Sequence, residues 1–165
     1  MIDLYTSATP NGQKVHIMLE ECGLDYKDHF VDLDSGGQFD SEFLKISPNN
    51  KIPAILDHDG PGGKNLAVFE SGAILLYLAE KFGEFMPGDP SRRPECLSWL
   101  FWQMSSAPYL GGGFGHFYNY APLKIEYAIN RYAMEVKRQL DVLDQHLAKN
   151  HYMCGDEYTI ADMAI

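Results

Sequence analysis

The sequence predicts an α/β domain followed by an all-helical domain, and three observations along its 165 residues support this. Short apolar runs alternate with helical apolar patterns over residues 1–83. Residues 84–94 are rich in proline, glycine and charge, and no periodic pattern crosses them. From residue 95 onwards the apolar patterns have helical spacing. We therefore expect domains at 1–83 and 95–165, joined by a linker.

The first domain has the predicted element order β-α-β-α-β-β-α. Thr9 is the expected N-cap of the first helix, with Pro10 at its first position, and Gly23 ends it. A turn rich in glycine and proline at 57–64 separates two apolar runs and predicts an antiparallel hairpin. Ser71 is the expected cap of the last helix. A parallel half followed by a hairpin half is the thioredoxin-like arrangement. The predicted elements lie at 2–5, 10–22, 26–33, 39–46, 54–57, 65–69 and 71–83.

The second domain is predicted to contain an aromatic-rich helix at 95–106 and a long amphipathic helix at 122–150. The glycine-rich run 111–116 lies between them, follows no strand and lacks the lysine and hydroxyl of a P-loop. We therefore expect a flexible helix–helix connection there, not a nucleotide site. The apolar face of the long helix is Ile125, Ile129, Tyr132, Val136, Leu140, Leu143 and Leu147.

Composition excludes several classes of function. The net charge of −10 disfavours a nucleic-acid partner. No apolar run approaches the roughly 20 residues of a transmembrane helix, and no signal peptide is indicated, so we expect no membrane partner and a cytoplasmic location. The three cysteines, Cys22, Cys96 and Cys154, form no C-x-x-C pair, which argues against a disulfide framework or a metal site.

Two segments offer groups suited to a small peptide-like thiol. Residues 9–12 place a hydroxyl, an amide and free backbone N–H groups at a helix N-terminus, where the helix dipole stabilises a thiolate. A simple N-cap is the alternative. Pro53 stands at the entrance to a strand, a position that is typically cis in a thioredoxin-like fold and that exposes the preceding main chain to an extended peptide. An ordinary strand-initiating proline is the alternative there.

A third segment, Phe69-Glu70-Ser71-Gly72, offers partners for both charges of an amino-acid head group. Ser71 and the amide groups of the helix would hold a carboxylate, and Glu70 would take the neighbouring ammonium. A capping pair without a ligand is the alternative. Because all three segments suit one small, acidic, peptide-like thiol, together they favour a ligand site.

These three segments, in this order and spacing, resemble the glutathione S-transferase family. Asn50-Lys51-Ile52-Pro53 with Glu70-Ser71 is similar to its glutathione-holding signature, and the likeness extends along the chain to the nu-class branch. The resemblance implies a thioredoxin-like domain with an all-helical domain, glutathione as co-substrate, no metal, and a homodimer. In that branch glutathione-dependent disulfide reduction is usually the better activity and transfer to electrophiles the poorer. The further matching segments are Gly36–Phe39, Ser47–Asn49, Ala73–Ala79 and Trp99–Gln103.

The resemblance also implies a role for individual residues. Since no cysteine occupies the first turn after Thr9, bound glutathione must supply the reacting sulfur. Tyr5 and Ser7 are rivals of Thr9 for the activating hydroxyl, and for Arg131 a solvated arginine on an amphipathic helix is the alternative. The implied site is Thr9 and Asn11 at the sulfur, Gln38 at the glycyl end, Lys51, Ile52 and Pro53 along the cysteinyl backbone, Glu70 and Ser71 at the γ-glutamyl head, and Arg131 from the helical domain.

Three functions follow as hypotheses. The first is a glutathione-dependent disulfide-bond reductase. The second is a transferase that conjugates glutathione to small electrophiles, and the third is a non-catalytic glutathione-binding module. The family's helical domain normally continues well past the capping box at 159–162, so we expect this chain to be a shortened version of a longer protein.

Overall fold

The computed structural model describes residues 1–165, which divide into two compact units, Met1–Met86 and Pro87–Met163. The first unit contains β1 (Ile2–Thr6), α1 (Pro10–Glu21), β2 (Tyr26–Phe30), α2 (Ser41–Ile46), β3 (Ala54–Gly60), β4 (Lys64–Phe69) and α3 (Ser71–Phe82). The second contains α4 (Arg93–Pro108), a π-helix (Tyr109–Tyr120) and α5 (Glu126–Leu147), and α6 (Ile160–Ala164) follows. No helix is both long and apolar enough to span a bilayer.

The first unit has a four-stranded mixed sheet in the order β2-β1-β3-β4. β1 runs parallel to β2 and antiparallel to β3, with Tyr5 opposite Ala54. β3 and β4 form the antiparallel hairpin, with Ala54 opposite Phe69. The predicted βαβαββα order and its division into a parallel and a hairpin half are therefore confirmed.

The two faces of the sheet bury different clusters. Along β1 the side chains of residues 2, 4 and 6 are buried, whereas those of residues 3 and 5 are only half-buried. The face of Leu4 and Thr6 meets α1, and α1 packs against α3. The face of Tyr5 packs against a smaller cluster that includes Phe43 of α2. The fully buried residues of the first unit include Leu4, Val15, Met18, Leu19, Ile55, Ile74, Leu75 and Leu78.

A buried carboxylate joins the hairpin to α3. The Asp57 side chain on β3 is 1% exposed and accepts hydrogen bonds from Tyr77 Oη at 2.6 Å and Lys81 Nζ at 2.5 Å. Burial alone would raise the pKa of Asp57, but these hydrogen bonds outweigh it and hold the pKa below its usual value. The carboxylate is thus a charged cross-link between β3 and α3.

Helix ends agree with the sequence prediction in some places and differ in others. Thr9 caps α1, and Thr159 forms the capping box of α6 with Asp162, as predicted. The prediction of Ser71 as an N-cap is wrong, because Ser71 is already helical and Glu70 occupies the cap position. The long helix begins only at Glu126, since Ala121, which precedes Pro122, and Ile125 both have extended backbone angles.

The glycine-rich segment differs most from expectation. The chain continues directly from α4 into the π-helix, so the predicted flexible connection at 111–116 is wrong. Phe114 and Tyr118 stack within the segment at a centroid distance of 5.2 Å. Gly113 is its buried residue. Aromatic packing therefore helps to hold the segment in a helix, and glycine content alone does not predict such packing.

Candidate active site

Four loops of the first unit meet at one end of the sheet. Thr6 at the end of β1 lies opposite Phe30 at the end of β2. Ala54 at the start of β3 lies between Tyr5 and Phe69, the last residue of β4. The segments next to these strand ends, with the first turns of α1 and α3, carry the candidate residues Thr9, Asn11, Gln38, Lys51, Ile52, Pro53, Glu70 and Ser71. The fold therefore brings segments that are far apart in the sequence together at one end of the sheet.

The first turn of α1 is closed by Thr9. Its Oγ1 accepts a hydrogen bond from Gly12 N at 3.2 Å, and its own N–H donates to Ser7 O at 2.7 Å. The cap uses a lone pair of the hydroxyl, so the Thr9 O–H remains able to donate. Asn11 lies exposed in the same turn. Hydroxyl, amide and helix N-terminus are thus presented together.

Gly12 allows the helix to approach the sheet this closely. A Cβ at position 12 would collide with Thr6 Oγ1 and would lie 2.7 Å from Ser7 O. Both contacts involve the end of β1 and the loop after it. No other residue type fits there unless the helix moves away from the strand.

The Tyr5 hydroxyl is placed less favourably than that of Thr9. The Tyr5 ring stacks on His29 at 4.6 Å and packs beside Phe43, on the sheet face opposite α1. Burial, and then the charge of Asp3, raise the pKa of Tyr5. The main-chain carbonyl of Ser7 is occupied by the Thr9 N–H. Thr9 is therefore the better placed of these hydroxyls to act at the N-terminus of α1.

The loop before β3 presents an ordered stretch of main chain. The Ile52–Pro53 peptide bond is cis, as the sequence predicts. Ser47 is fully buried, and its Oγ donates to Lys51 O at 2.8 Å, which fixes the loop from inside. Strand pairing begins only at Ala54, so the main chain of Ile52 lies outside the paired strands.

Glu70 has an unusual conformation. Its φ is 72°, in the left-handed region that non-glycine residues rarely adopt and that is often found at functional sites. Its carboxylate does not cap α3, and instead accepts from Asn49 Nδ2 at 3.1 Å. Ser71 follows, 5% exposed, as the first residue of α3. The sequence prediction missed Asn49 as the residue that orients Glu70, although it lies in the recognised 47–54 segment.

Gln38 lies in the short turn after β2. Its Oε1 is buried and has no hydrogen-bond partner within the chain. Rotation about the last side-chain bond exchanges the oxygen and the nitrogen, so the same position can offer an acceptor or a donor. An unpaired buried oxygen in a segment that leaves this end of the sheet is a group that a ligand could satisfy.

Arg131 belongs to the helical unit. It lies on α5 with its side chain 57% exposed, and Nη1 is 4.0 Å from Glu135 Oε2. It also lines a cavity with Ala128 and the rings of Tyr109, Phe117, Tyr127 and Tyr132. Exposure agrees with the alternative of a solvated arginine, while the cavity agrees with a ligand contact.

Comparison with known proteins decides the family. Residues 2–80 match the glutathione S-transferase N-terminal domain, and residues 101–165 match the glutathione S-transferase C-terminal domain. The chain belongs to the glutathione S-transferase family. It is 57% identical to the disulfide-bond oxidoreductase YghU of Escherichia coli (strain K12) over an alignment of 170 positions, which covers 99% of this chain and 58% of that protein. The predicted family is thereby confirmed.

Solved structures of other family members agree with the fold. A glutathione transferase YghU from Streptococcus pneumoniae, complexed with glutathione, has a TM-score of 0.94 and 55% identity over 99% of this chain and 64% of its own. A glutathione transferase from Pseudomonas putida, with one glutathione disulfide bound per subunit, has a TM-score of 0.95 and 49% identity over 99% and 72%. This chain therefore spans about three fifths to three quarters of the length of these relatives.

The three cysteines of this glutathione S-transferase chain are free, and Cys96 and Cys154 are fully buried. Burial, with the charge of Glu84, raises the pKa of Cys22. Burial raises the pKa of Cys154 to about 12. Such thiols stay protonated at neutral pH, and only the thiolate is nucleophilic.

In no part of the chain do three or more His, Cys, Asp or Glu side chains form a group that could hold a metal ion.

Lys14 is a buried charge that the sequence prediction missed. It is 7% exposed on α1, one turn after Asn11, and forms no ion pair. Burial lowers the pKa of Lys14 to about 8. The sequence could have indicated this burial, because Lys14 lies four residues before the buried Met18, and residues four apart share a helix face.

Replacing Lys14 should stabilise the fold in a pH-dependent way. Between pH 8 and pH 10.5 the unfolded chain holds the Lys14 proton and the folded chain releases it, so the free energy of unfolding rises with pH in this window. Lys14→Met should raise the free energy of unfolding at pH 7 by about 2–3 kcal/mol. Urea titrations at pH 7 and at higher pH would measure this.

The exposed Lys27 on β2 is the matched control, and Lys27→Met should leave stability nearly unchanged. A Lys14→Met protein that is less stable than the parent at pH 7 would show that the ammonium has a favourable partner in solution.

Proposed function

We propose that this chain binds glutathione at the strand-end loops of the first unit and uses its sulfur to reduce disulfides. One observation carries the proposal: three features meet at one end of the sheet. They are the N-terminus of α1, the main chain before the cis Pro53, and Glu70 with its positive φ. A similar protein named a disulfide-bond oxidoreductase, and another solved with glutathione disulfide, support the same chemistry.

The proposed pose assigns each part of glutathione to one loop. Glu70 takes the γ-glutamyl ammonium, and Ser71 with the first amides of α3 takes the neighbouring carboxylate. The main chain of Ile52, between Lys51 and Pro53, pairs with the cysteinyl backbone. The buried side-chain amide group of Gln38, whose Oε1 is unpaired within the chain, forms a hydrogen bond with the glycyl end of glutathione. Each ligand charge then has a partner of opposite sign or a hydrogen-bond donor.

The sulfur lies at the first turn of α1 in this pose. The Thr9 O–H donates to the thiolate, and Asn11 and the helix N-terminus add positive potential. A fall of about two units in the thiol pKa corresponds to roughly 2.7 kcal/mol, within the range of such contacts in a shielded site. Glutathione would then be largely ionised near neutral pH.

The reaction balances with two molecules of glutathione. The first thiolate attacks one sulfur of the disulfide, the S–S bond breaks, and the departing thiolate takes a proton. A second glutathione thiolate then attacks the mixed disulfide and releases glutathione disulfide and the second reduced thiol. Arg131 would hold a ligand carboxylate on the helical unit.

Conjugation to electrophiles is the second candidate, because the relatives with glutathione or its disulfide bound are named transferases. The same thiolate would attack an electrophilic carbon. Parallel assays with 2-hydroxyethyl disulfide and 1-chloro-2,4-dinitrobenzene distinguish the two activities. Tight glutathione binding without turnover of either compound would leave a non-catalytic binding module as the function.

Removing either head-group partner should weaken glutathione binding. Glu70→Ala and Ser71→Ala should each cost about 1.5–3 kcal/mol, because one charge of the zwitterionic head group loses its partner. Isothermal titration calorimetry measures the change. Glu42→Ala, which removes an exposed carboxylate on α2, is the control and should bind as the parent does. Parental affinity in both site variants would show that the site is elsewhere.

Removing the Thr9 hydroxyl should slow reduction and change its pH dependence. Thr9→Ala should lower the rate with 2-hydroxyethyl disulfide by about 10- to 100-fold and raise the apparent thiol pKa, while glutathione affinity changes little. Thr9→Ser keeps both the cap and the hydroxyl, and should retain most of the rate. Rate–pH profiles between pH 5 and pH 9 would record both effects.

The comparison variants for Thr9 are Tyr5→Phe, Ser7→Ala and Asn11→Ala. We expect Asn11→Ala to lower the rate less than Thr9→Ala does, and the other two to have small effects. Cys22→Ser, Cys96→Ser and Cys154→Ser should remain active, because no protein thiol reacts. A larger loss in Tyr5→Phe, or an inactive but folded cysteine variant, would overturn the assignment.

We also propose a homodimer, as the resemblance to the family implies. On the helical unit Phe101 of α4 is 61% exposed and Met134 of α5 is 70% exposed, and large exposed apolar side chains are candidates for a subunit contact. Sedimentation velocity at micromolar concentration should give twice the mass of one chain, and Phe101→Glu should lower the proportion of dimer. A parental protein that sediments only as a monomer contradicts the proposal.

A further inference from the structure

Two of the three free cysteines are neighbours inside the helical unit. Cys96 lies on α4 and Cys154 lies before α6, so they are far apart in the sequence, and both are completely buried. A side-chain hydrogen bond joins their thiols. Thr159 Oγ1 also donates to Cys154 Sγ at 3.5 Å. The fold thus builds a pair of thiols that the spacing of cysteines in the sequence does not indicate.

Contacts outside the two thiols hold the same elements together. Arg92, the residue before α4, donates from Nη2 to Cys154 O at 2.6 Å and from Nε to Glu95 Oε2 at 3.2 Å. Cys154 also forms an antiparallel bridge with Glu157, which makes the chain around it a tight turn. The position of Cys154 beside α4 therefore depends on main-chain contacts as well as on the two sulfur atoms.

We propose that Cys96 and Cys154 form an oxidation site, at which a hydroperoxide closes an intramolecular disulfide that fastens α4 to the segment before α6. The reaction is separate from the proposed reduction of disulfides, in which bound glutathione supplies the sulfur. Two adjacent thiols suit it, because the second sulfur lies next to the first when that one is oxidised. Hydrogen peroxide is the suitable oxidant, since it is small enough to reach a buried sulfur.

The oxidation balances with one peroxide for each disulfide. The sulfur of Cys96 attacks one peroxide oxygen, the O–O bond breaks, and a sulfenic acid and one water form. The Cys154 sulfur then attacks the sulfenic sulfur, the S–O bond breaks, and the hydroxyl group leaves as a second water. The two thiol protons end in the two waters. The sulfur atoms together lose two electrons, which the peroxide gains.

The same site is protected from exchange with glutathione disulfide. Burial raises the pKa of Cys154 to about 12, against the opposing effect of the hydrogen bond from Thr159. Exchange requires a thiolate and access for the attacked disulfide. A fully buried pair gives a bound tripeptide no access. We therefore expect the pair to respond to peroxide and to stay reduced in the presence of glutathione disulfide.

The test maps the disulfide in the parental protein. Folded protein is treated with hydrogen peroxide, unfolded in urea with N-ethylmaleimide, digested, and analysed by mass spectrometry without reduction. We expect one pair of peptides joined through Cys96 and Cys154, lighter by two hydrogens than the separate peptides. This pair should be at least about tenfold more abundant than any joined pair that contains the half-buried Cys22. Glutathione disulfide in place of peroxide should give at least about tenfold less of it.

Cys22→Ser is the matched control and should form the same joined pair, whereas Cys154→Ser should form none. The oxidised parental protein should have a Tm about 5–15 °C above that of the reduced protein, because the new bond joins residues far apart in the sequence. Alkylation of both Cys96 and Cys154 in peroxide-treated parental protein would overturn the inference. A Tm that does not rise once the disulfide has formed would overturn its role in fastening α4.

Discussion

The close approach of α1 to the end of β1 is the constraint on which the candidate site depends. At Gly12 the helix backbone lies against Thr6 and the Ser7 carbonyl, and no side chain could be accommodated between them. This contact sets the direction in which the first turn of the helix points. The cap formed by Thr9 and the exposed amide of Asn11 follow from that direction, because both belong to the same turn.

The opposite side of the site is fixed by a charged group deep in the first unit. Asp57 on β3 is hydrogen-bonded to Tyr77 and Lys81 of α3. β4 pairs with β3 and leads directly into α3, so the short connection at Glu70 is held at both of its ends. A positive φ at a non-glycine residue costs about 1–3 kcal/mol and persists only where surrounding structure enforces it. The buried cross-link holds together β3 and α3, the two elements on either side of this connection.

Local chemistry predicted much of this structure, and long-range packing accounts for what it missed. Thr9 and the 159–162 capping box were predictable because a cap depends on a few neighbouring residues. The cap position of Glu70 was not, since the chain reversal between β4 and α3 decides it. Nor was the burial of Lys14, because which flank of α1 is covered depends on tertiary contacts. Leu140 and Leu147 share the predicted apolar stripe of α5, yet both are exposed.

The π-helical segment gives the helical unit an unusual sensitivity to chain length. Residues Tyr109–Tyr120 continue from α4 without a break, so a change of one residue in their number would change the direction of the side chains that follow it within the segment. In a regular α-helix each residue advances the direction of the side chains by about 100°. Loss of one residue here would therefore turn a different set of side chains toward Tyr132. A single-codon deletion within this stretch would thus change which residues line the cavity.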